Sequence, residues 1–237
     1  MSVPGYDVAV TDLYDHGVAF ADIRLTADQC DHLTLSIPSV PAGRGGVRGL
    51  VGHPSVLQLL HHKRLGEYLW SIVGRDLVAI RATLFDRTIE SSWRVQWHQD
   101  RVISVRERMA VPGYSPWSVK SGVPHVEPPT SVLEQMLAVR VYLDASGPEN
   151  GPLRVIPGSH EWGKVAEKDL QCRAAAATSV EVHVPKGALL LMRPLLVHAS
   201  TRWLMPTHRR VLHIEFAPAE AISPLQWQTS IHLRRAA

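Results

Sequence analysis

The stretch Trp97-His98-Gln99-Asp100 decides how the rest of this sequence is interpreted. A histidine and a carboxylate two positions apart on a β-strand point to the same face, because strand side chains alternate with a period of two. His198, far along the chain, would add a ligand from a distant strand. Two imidazoles and one carboxylate can hold Fe(II) on one face and leave coordination positions open. The pattern therefore predicts a metal centre carried by strand ends.

Short apolar runs separated by Gly and Pro surround this stretch and predict a mostly β domain. Strands are expected at residues 17–20, 77–85, 93–97, 137–144, 153–156, 180–184, 188–192, 197–198 and 211–216. Two helices are expected before the main strands, one capped by Thr26 and one running from Pro54 to Gly74. We therefore predict a small barrel or double-sheet jelly roll with helices packed on one sheet.

The whole chain, residues 1–237, is expected to form one domain. Residues 101–134 hold many prolines and glycines and are predicted to be an irregular insertion that acts as a lid or binding loop. Residues 161–178 are predicted to be a looser connection.

Composition excludes several functional classes. Hydrophobic residues make up 45% of the chain and charged residues 20%, which is typical of a globular protein rather than a disordered one. A net charge of +3 without a basic run argues against nucleic-acid binding. We find no apolar segment of about 18 residues and no signal sequence, so we expect a cytoplasmic protein without a membrane partner. Cys30 and Cys172 are expected to be reduced.

An arginine follows the last predicted ligand at a useful distance. Arg209 lies eleven positions after His198, across a turn at Pro206, on the next predicted strand. A guanidinium at that point can grip a carboxylate with two charge-assisted hydrogen bonds. The sequence therefore predicts a carboxylate-bearing ligand beside the metal.

Several motifs, in this order, resemble those of the phytanoyl-CoA dioxygenase family. They are Trp97–Asp100, Pro148-Glu149-Asn150-Gly151-Pro152-Leu153-Arg154-Val155-Ile156-Pro157-Gly158-Ser159-His160, His198-Ala199-Ser200, and Arg209-Arg210-Val211-Leu212-His213-Ile214-Glu215-Phe216. The resemblance covers about residues 15–217. It implies a double-stranded β-helix and an Fe(II)- and 2-oxoglutarate-dependent oxygenase (EC 1.14.11-like) that consumes O2 and releases succinate and CO2.

The resemblance also implies a role for particular residues. His98, Asp100 and His198 match the iron ligands, and Arg209 matches the arginine that binds the distal carboxylate of 2-oxoglutarate. Residues that match other positions near the co-substrate are Ser200, Trp117 and Gln96, with Arg140 as an alternative to Gln96. Related halogenases lack the carboxylate ligand, so Asp100 favours hydroxylation or another C–H oxidation.

The substrate is expected to be a small, carboxylate-bearing metabolite or natural-product intermediate. The basic and aromatic residues of the insertion are candidates to contact it, and Arg140 is a further candidate on the sheet. The insertion candidates are Arg106, Lys120 and His125. The assembly is expected to be a monomer or a homodimer.

Two alternatives remain open from the residues alone. The same ligands would suit a Zn- or Mn-dependent hydrolase or isomerase. A barrel of this kind can also bind a metabolite without catalysis.

Overall fold

The predicted runs form antiparallel strands in the structure, a computed structural model that describes residues 11–41, 43–88, 95–201 and 208–234. The strands are β1 (Thr11–Asp12), β2 (Val18–Arg24), β3 (Gly46–Val47), β4 (Val78–Arg87), β5 (Val95–His98), β6 (Ile103–Ser104), β7 (Trp117–Lys120), β8 (Val123–Val126), β9 (Leu137–Tyr142), β10 (Leu153–Val155), β11 (Val180–Val182), β12 (Ala188–Met192), β13 (His198–Ser200), β14 (Arg209–Ala217) and β15 (Ile231–His232). The helices are α1 (Ala27–Ser36), α2 (Pro54–Leu60), α3 (Lys63–Val73), α4 (Thr130–Leu133) and α5 (Glu167–Ala175).

Two sheets face each other across an apolar interior. The large sheet has the order β1-β2-β12-β9-β14-β4-β15, with β3 beside β4, and the small sheet has the order β11-β10-β13-β5. Tyr142 and Val211 of the large sheet share one core cluster with Leu153 and Val155 of the small sheet. The fold is a jelly-roll double-stranded β-helix, which confirms the predicted class.

The outer face of the large sheet is covered by α1, α2 and α3. Leu212 and Ile214 of β14 face this layer and pack in one cluster with Leu33, Leu60 and Leu69 of the three helices. Because strand side chains alternate, Val211, His213 and Glu215 point into the barrel. One strand therefore supports both the helical layer and the interior.

The second predicted helix is two helices. The structure breaks it at His61 and His62, and His62 has an extended backbone (ψ 115°) that begins α3. The apolar stripe jumps from Leu60 to Leu65, which is longer than the three- or four-residue step that keeps side chains on one face. The caps at the two outer ends are as predicted: Thr26 caps α1 with a capping box, and Gly74 ends α3 with a positive φ of 67°.

The insertion at residues 101–134 is not irregular, which corrects the prediction. It contains the three-stranded sheet β6-β8-β7 and the short helix α4. Its turn residues mark a hairpin, in which Ser121 and Gly122 take positive φ between β7 and β8. Ile103 and Val126 of this sheet are fully buried against the cluster that includes Trp227. The insertion is therefore anchored to the barrel.

Residues 161–178 contain a helix that the sequence did not predict. α5 buries only Leu170 and Ala174, which are four positions apart and lie on one face. Such a narrow apolar stripe in a polar, Ala-rich segment gave little periodic signal.

Some expectations fall outside the described residues, including the start of the strand at Trp93 and the turn at Pro206. Cys30 is buried, Cys172 is exposed, and neither forms a disulfide. Within the described ranges, every helix is too short or too polar to span a lipid bilayer.

Gly187 is a position where a side chain should not be tolerated. Its φ is +85°, and an added Cβ would overlap the carbonyl oxygen of Leu25. We expect Gly187→Ala to lower the free energy of unfolding by about 1–3 kcal/mol from backbone strain alone. Urea denaturation would measure this. Gly52→Ala is the matched control, because no atom lies within 4 Å of its added Cβ, and it should change stability by less than about 0.5 kcal/mol.

Candidate metal centre

Three predicted ligands converge at one end of the small sheet. β5 and β13 are antiparallel neighbours, and His98 lies directly opposite His198. Their rings are 4.1 Å apart between centroids. One ligand atom each from His98, Asp100 and His198 lies within 4.8 Å of the other two. This spacing is suited to three ligands that share one metal ion.

Backbone carbonyls set the tautomer of both histidines. His98 Nδ1 lies 2.9 Å from the carbonyl oxygen of Gln96, and His198 Nδ1 lies 2.9 Å from that of Leu196. A carbonyl oxygen only accepts hydrogen bonds, so each Nδ1 carries the proton and each Nε2 presents a lone pair. Gln96, a predicted co-substrate contact, has an exposed side chain, and its backbone carbonyl orients the first ligand.

Asp100 lies just beyond the end of β5 and is held by its backbone, because its N–H donates to the carbonyl of Pro194 at 2.9 Å. Burial alone would raise the pKa of its carboxyl. The nearby His198, His213 and His98 outweigh burial and hold that pKa well below its usual range. The carboxylate is therefore ionised, as a metal ligand must be.

Burial also controls the charge of His198, whose side chain is almost inaccessible to solvent. Burial, followed by repulsion from His98, lowers the pKa of His198. The imidazole is therefore neutral at physiological pH. The donor set is two imidazoles and one carboxylate.

Gln99 connects the ligands to the scaffold, and the sequence did not reveal this. Alternation along the chain turns its side chain away from the two ligands that flank it. Its amide donates to the carbonyls of Gly163 (2.8 Å) and Leu195 (2.7 Å) and accepts from the Val165 N–H (3.0 Å). Gln99 therefore ties the first two ligands to the segment that leads into His198.

Arg209 lies inside the barrel on β14, in an environment that leaves part of its hydrogen-bonding capacity unused. Its Nη1 donates to the carbonyl of Gly151, and its buried Nε has no hydrogen-bond partner. Burial lowers its pKa to about 10, although Tyr142 acts in the opposite direction. Among the ion pairs of the described residues, none joins Arg209 to a carboxylate. A buried cation of this kind is prepared to bind an anion.

A second arginine lies directly across from it. Arg87 of β4 is the register partner of Arg209, and its Nη2 donates to Ser200 Oγ at 2.8 Å. Ser200, which was predicted to contact the co-substrate, is therefore held by Arg87. Burial, with repulsion from Arg140, lowers the pKa of Arg87 to about 10. The sequence gave no signal for Arg87, because only the sheet register brings it opposite Arg209.

Arg140 of β9 extends this group toward the metal ligands. It is buried, its Nε has no hydrogen-bond partner, and its Nη1 lies 3.5 Å from His213 Nδ1. We call Arg87, Arg140 and Arg209 the anion pocket. The buried hydroxyl of Tyr142, also without a partner, lies on the same inward face of β9 as Arg140.

His125, predicted to contact substrate, lies on β8 in the insertion and is partly buried. Burial lowers its pKa, and the charges of Lys120, Arg81 and Arg48 lower it further. Arg81 also contributes to lowering the pKa of Asp100. Lys120 is exposed at the hairpin end of β7.

Arg106 and Trp117 lie elsewhere in the insertion. Arg106 is exposed, and its guanidinium donates to Gln226 Oε1 at 2.9 Å. Trp117 packs against the core of the insertion sheet, and the guanidinium of Arg108 lies 5.7 Å from its ring. A cavity of about 1000 Å³ between α3 and residues 218–221 shares no lining residue with the metal centre.

Comparisons with known proteins agree with this geometry. A family model described as phytanoyl-CoA dioxygenase (PhyH) matches residues 47–211. No curated protein sequence matches the chain.

Solved structures share the fold at low sequence identity. The non-heme monooxygenase ThoJ–Ni complex has a TM-score of 0.65 and 19% identity, over 97% of this chain and 84% of that one. AviO1 from Streptomyces viridochromogenes Tue57 has a TM-score of 0.64 and 21% identity, over 92% and 97%. The epimerase SnoN in complex with Fe3+, alpha ketoglutarate and nogalamycin RO has a TM-score of 0.63 and 15% identity, over 87% and 81%.

Proposed function

The chain belongs to the phytanoyl-CoA dioxygenase family, and we propose that it is an Fe(II)- and 2-oxoglutarate-dependent oxygenase that oxidises a C–H bond of a small metabolite. The observation that carries the proposal is the convergence of His98, Asp100 and His198 in a barrel that also holds the anion pocket. Either feature alone occurs in many proteins. This chemistry requires a metal centre with open positions and a cationic site for the carboxylate of the co-substrate, and the two features together match both requirements.

The donor set fits Fe(II). Two imidazole Nε2 atoms and one ionised carboxylate would hold the ion and would leave positions for the co-substrate and O2. Both imidazoles are fixed by backbone hydrogen bonds, so little ordering is needed when the ion binds. When bound, the iron supplies the oxidising power for C–H cleavage, with 2-oxoglutarate and O2 as co-substrates and succinate and CO2 as products.

The anion pocket fits 2-oxoglutarate. Arg209 and Arg140 each leave a buried Nε without a partner, and the hydroxyl of Tyr142 is also unsatisfied. A dicarboxylate satisfies such donors and neutralises two buried cations, which an apolar ligand does not. We propose that Arg209 binds the distal carboxylate, with Arg87 and Ser200 beside it and Arg140 nearer the metal. The SnoN neighbour, which holds Fe3+ and alpha ketoglutarate in the same fold, supports this assignment.

The protein contributes positioning and exclusion of water. Val155 is the cross-strand neighbour of His198, and it packs in one buried cluster with Val211 of the large sheet. A dry interior strengthens the ionic contacts of the arginines and prevents side reactions. Asp100 occupies the position that related halogenases leave to a halide, which supports hydroxylation or another C–H oxidation.

The substrate is proposed to enter past the insertion and to carry a carboxylate. Lys120 supplies positive charge in the insertion, and His125, whose pKa is lowered by burial, supplies a hydrogen-bonding imidazole. Arg106 adds a further exposed guanidinium. Trp117 and Gln96 are proposed to lie near the bound co-substrate, farther from it than the arginines of the anion pocket. Screening carboxylate-bearing metabolites for succinate release would identify the substrate class, and activity confined to cationic or apolar compounds would contradict it.

The decisive test of the function is spectroscopic. Anaerobic addition of Fe(II) and 2-oxoglutarate to the purified chain should produce a weak visible charge-transfer band, because the 2-oxo acid chelates the iron. Fe(II) with succinate is the control and should produce no band. A folded protein without the band would overturn the proposal. Hydrolysis or isomerisation supported by Zn or Mn would then favour a hydrolase or isomerase, and metabolite binding without turnover would favour a non-catalytic barrel.

A further inference from the structure

We infer that His213 is a positioning residue that holds the Asp100 carboxylate at the metal centre and links it to Arg140 in the anion pocket. The inference rests on the metal centre proposed above. His213 is buried on β14, where its register partner on β9 is Arg140. It is not one of the three ligands that converge within 4.8 Å.

Arg140 determines which nitrogen of His213 carries the proton. Its Nη1 lies 3.5 Å from His213 Nδ1. A guanidinium only donates hydrogen bonds, so Nδ1 accepts and the proton is on Nε2. The ring is also oriented by Phe85, which meets it edge-on with the centroids 5.9 Å apart. One N–H therefore has a fixed direction.

That N–H faces two acids. His213 Nε2 lies 3.6 Å from Glu215 Oε1 and 3.9 Å from Asp100 Oδ2. Glu215 is already engaged, because Arg81 approaches the same oxygen through Nε at 2.6 Å and Nη2 at 2.5 Å. Among the residues that the structure describes, no arginine or lysine forms an ion pair with Asp100, which lies 3.7 Å from the ligand His198. The Nε2–H of His213 is thus the donor available to orient the metal-binding carboxylate.

The separations of 3.6 and 3.9 Å are longer than hydrogen bonds, and a small movement of Asp100 toward His213 closes the second. Contacts of this type tighten when the ligand is bound. An anion on Arg140 and a metal on Asp100 then act on opposite nitrogens of one ring. Metal and co-substrate are therefore expected to raise each other's affinity by the same factor.

The test compares His213→Gln with His213→Asn in the full chain. The Gln amide reaches the position of Nε2 and keeps the donor toward Asp100, whereas the Asn amide reaches only the position of Nδ1. Isothermal titration with Co(II), with and without 2-oxoglutarate, gives the metal affinity and its coupling, and the visible spectrum of Co(II) reports the ligand geometry. We expect Asn to weaken Co(II) binding about 10- to 100-fold and to reduce the coupling. Gln should stay within about threefold of wild type.

His183→Asn is the matched control. His183 lies 3.6 Å from Glu181, the same separation as His213 from Glu215, but both side chains are more than 40% exposed. The control should bind Co(II) as the wild type does. Equal weakening in the Gln and Asn variants would overturn the inference, as would wild-type affinity in the Asn variant. A wild-type chain that binds no Co(II) would overturn the metal centre as well, whereas a missing charge-transfer band with intact differences between variants would overturn only the oxygenase.

Discussion

Replacing Asp100 with alanine is expected to abolish metal binding and the release of succinate. The change removes the only negative charge among His98, Asp100 and His198, and two imidazoles alone bind a divalent ion weakly. Loss of a residue that only orients a ligand costs about 10- to 100-fold in metal affinity, and loss of a ligand should exceed this. Titration with Co(II) and a succinate assay with 2-oxoglutarate would measure both effects.

The stability of the Asp100→Ala variant tests whether Asp100 acts as a metal ligand or is needed for folding. The carboxylate is ionised beside three histidines, and its side chain is partly exposed. Because the pKa of Asp100 is lowered in the folded state, the carboxylate stabilises the metal-free protein at neutral pH, and its removal should lower the thermal unfolding midpoint without preventing folding. Asp31→Ala is the control, since Asp31 forms an exposed ion pair with Lys186. A folded Asp100→Ala protein that still bound Co(II) tightly would show that the ligand assignment is wrong.

Replacing Arg209 with alanine is expected to weaken 2-oxoglutarate binding by about 10- to 150-fold, which corresponds to a lost charge-assisted pair of about 1.5–3 kcal/mol. Metal binding without 2-oxoglutarate should be unchanged, because Arg209 lies in the anion pocket and contacts no ligand. The Michaelis constant for 2-oxoglutarate and a titration of the Fe(II) protein in the absence of oxygen would measure the effect. Arg209→Lys should fall between, because lysine keeps the charge and loses the fork.

The neighbouring arginine provides the control. Arg210 points to the other face of β14 and forms a bidentate pair with Asp144 at 2.7 and 2.8 Å. Arg210→Ala should leave the affinity for 2-oxoglutarate unchanged and should cost at most about 1 kcal/mol of stability. Similar losses in both variants would mean that the strand, and not the buried guanidinium, is responsible.

The unfolding of the Arg209 variant has a further signature. Burial lowers the pKa of Arg209 to about 10, so the folded state disfavours its charge at every pH below that value. Removing the guanidinium relieves this cost. The metal-free variant is therefore expected to be at least as stable as the wild type. In the metal-loaded proteins, the same concentration of 2-oxoglutarate should raise the melting temperature of the wild type more than that of the variant.

The sequence alone predicts the site residues whose spacing along a strand is itself informative. The two-residue step from His98 to Asp100 and the position of Arg209 on the last long strand led to the site before any contact was known. Gln99 was passed over because its role depends on two segments more than sixty positions away. Arg87 required the pairing of β4 with β14, which a single sequence does not encode locally.

The errors in secondary structure have a related cause. Proline and glycine in residues 101–134 predict irregular chain, but they also occur in short hairpins whose strands have only two to four residues. The break between α2 and α3 leaves one apolar surface continuous, since both helices pack on the same sheet. Periodicity finds the buried face of a segment more reliably than its ends.

The metal centre and the anion pocket lie on different sheets, and this separation determines how long a ligand must be to contact both. The metal-binding residues extend from the small sheet, and the arginines extend from the large one. Facing sheets are held about 10 Å apart by the side chains between them. In the proposed binding mode, the acid must span the gap between the metal and Arg209. The size of the core side chains Leu153, Val155 and Val211 sets the width of that gap and so the length of acid that fits. In the proposed function, the core of the fold selects the co-substrate and the insertion selects the substrate.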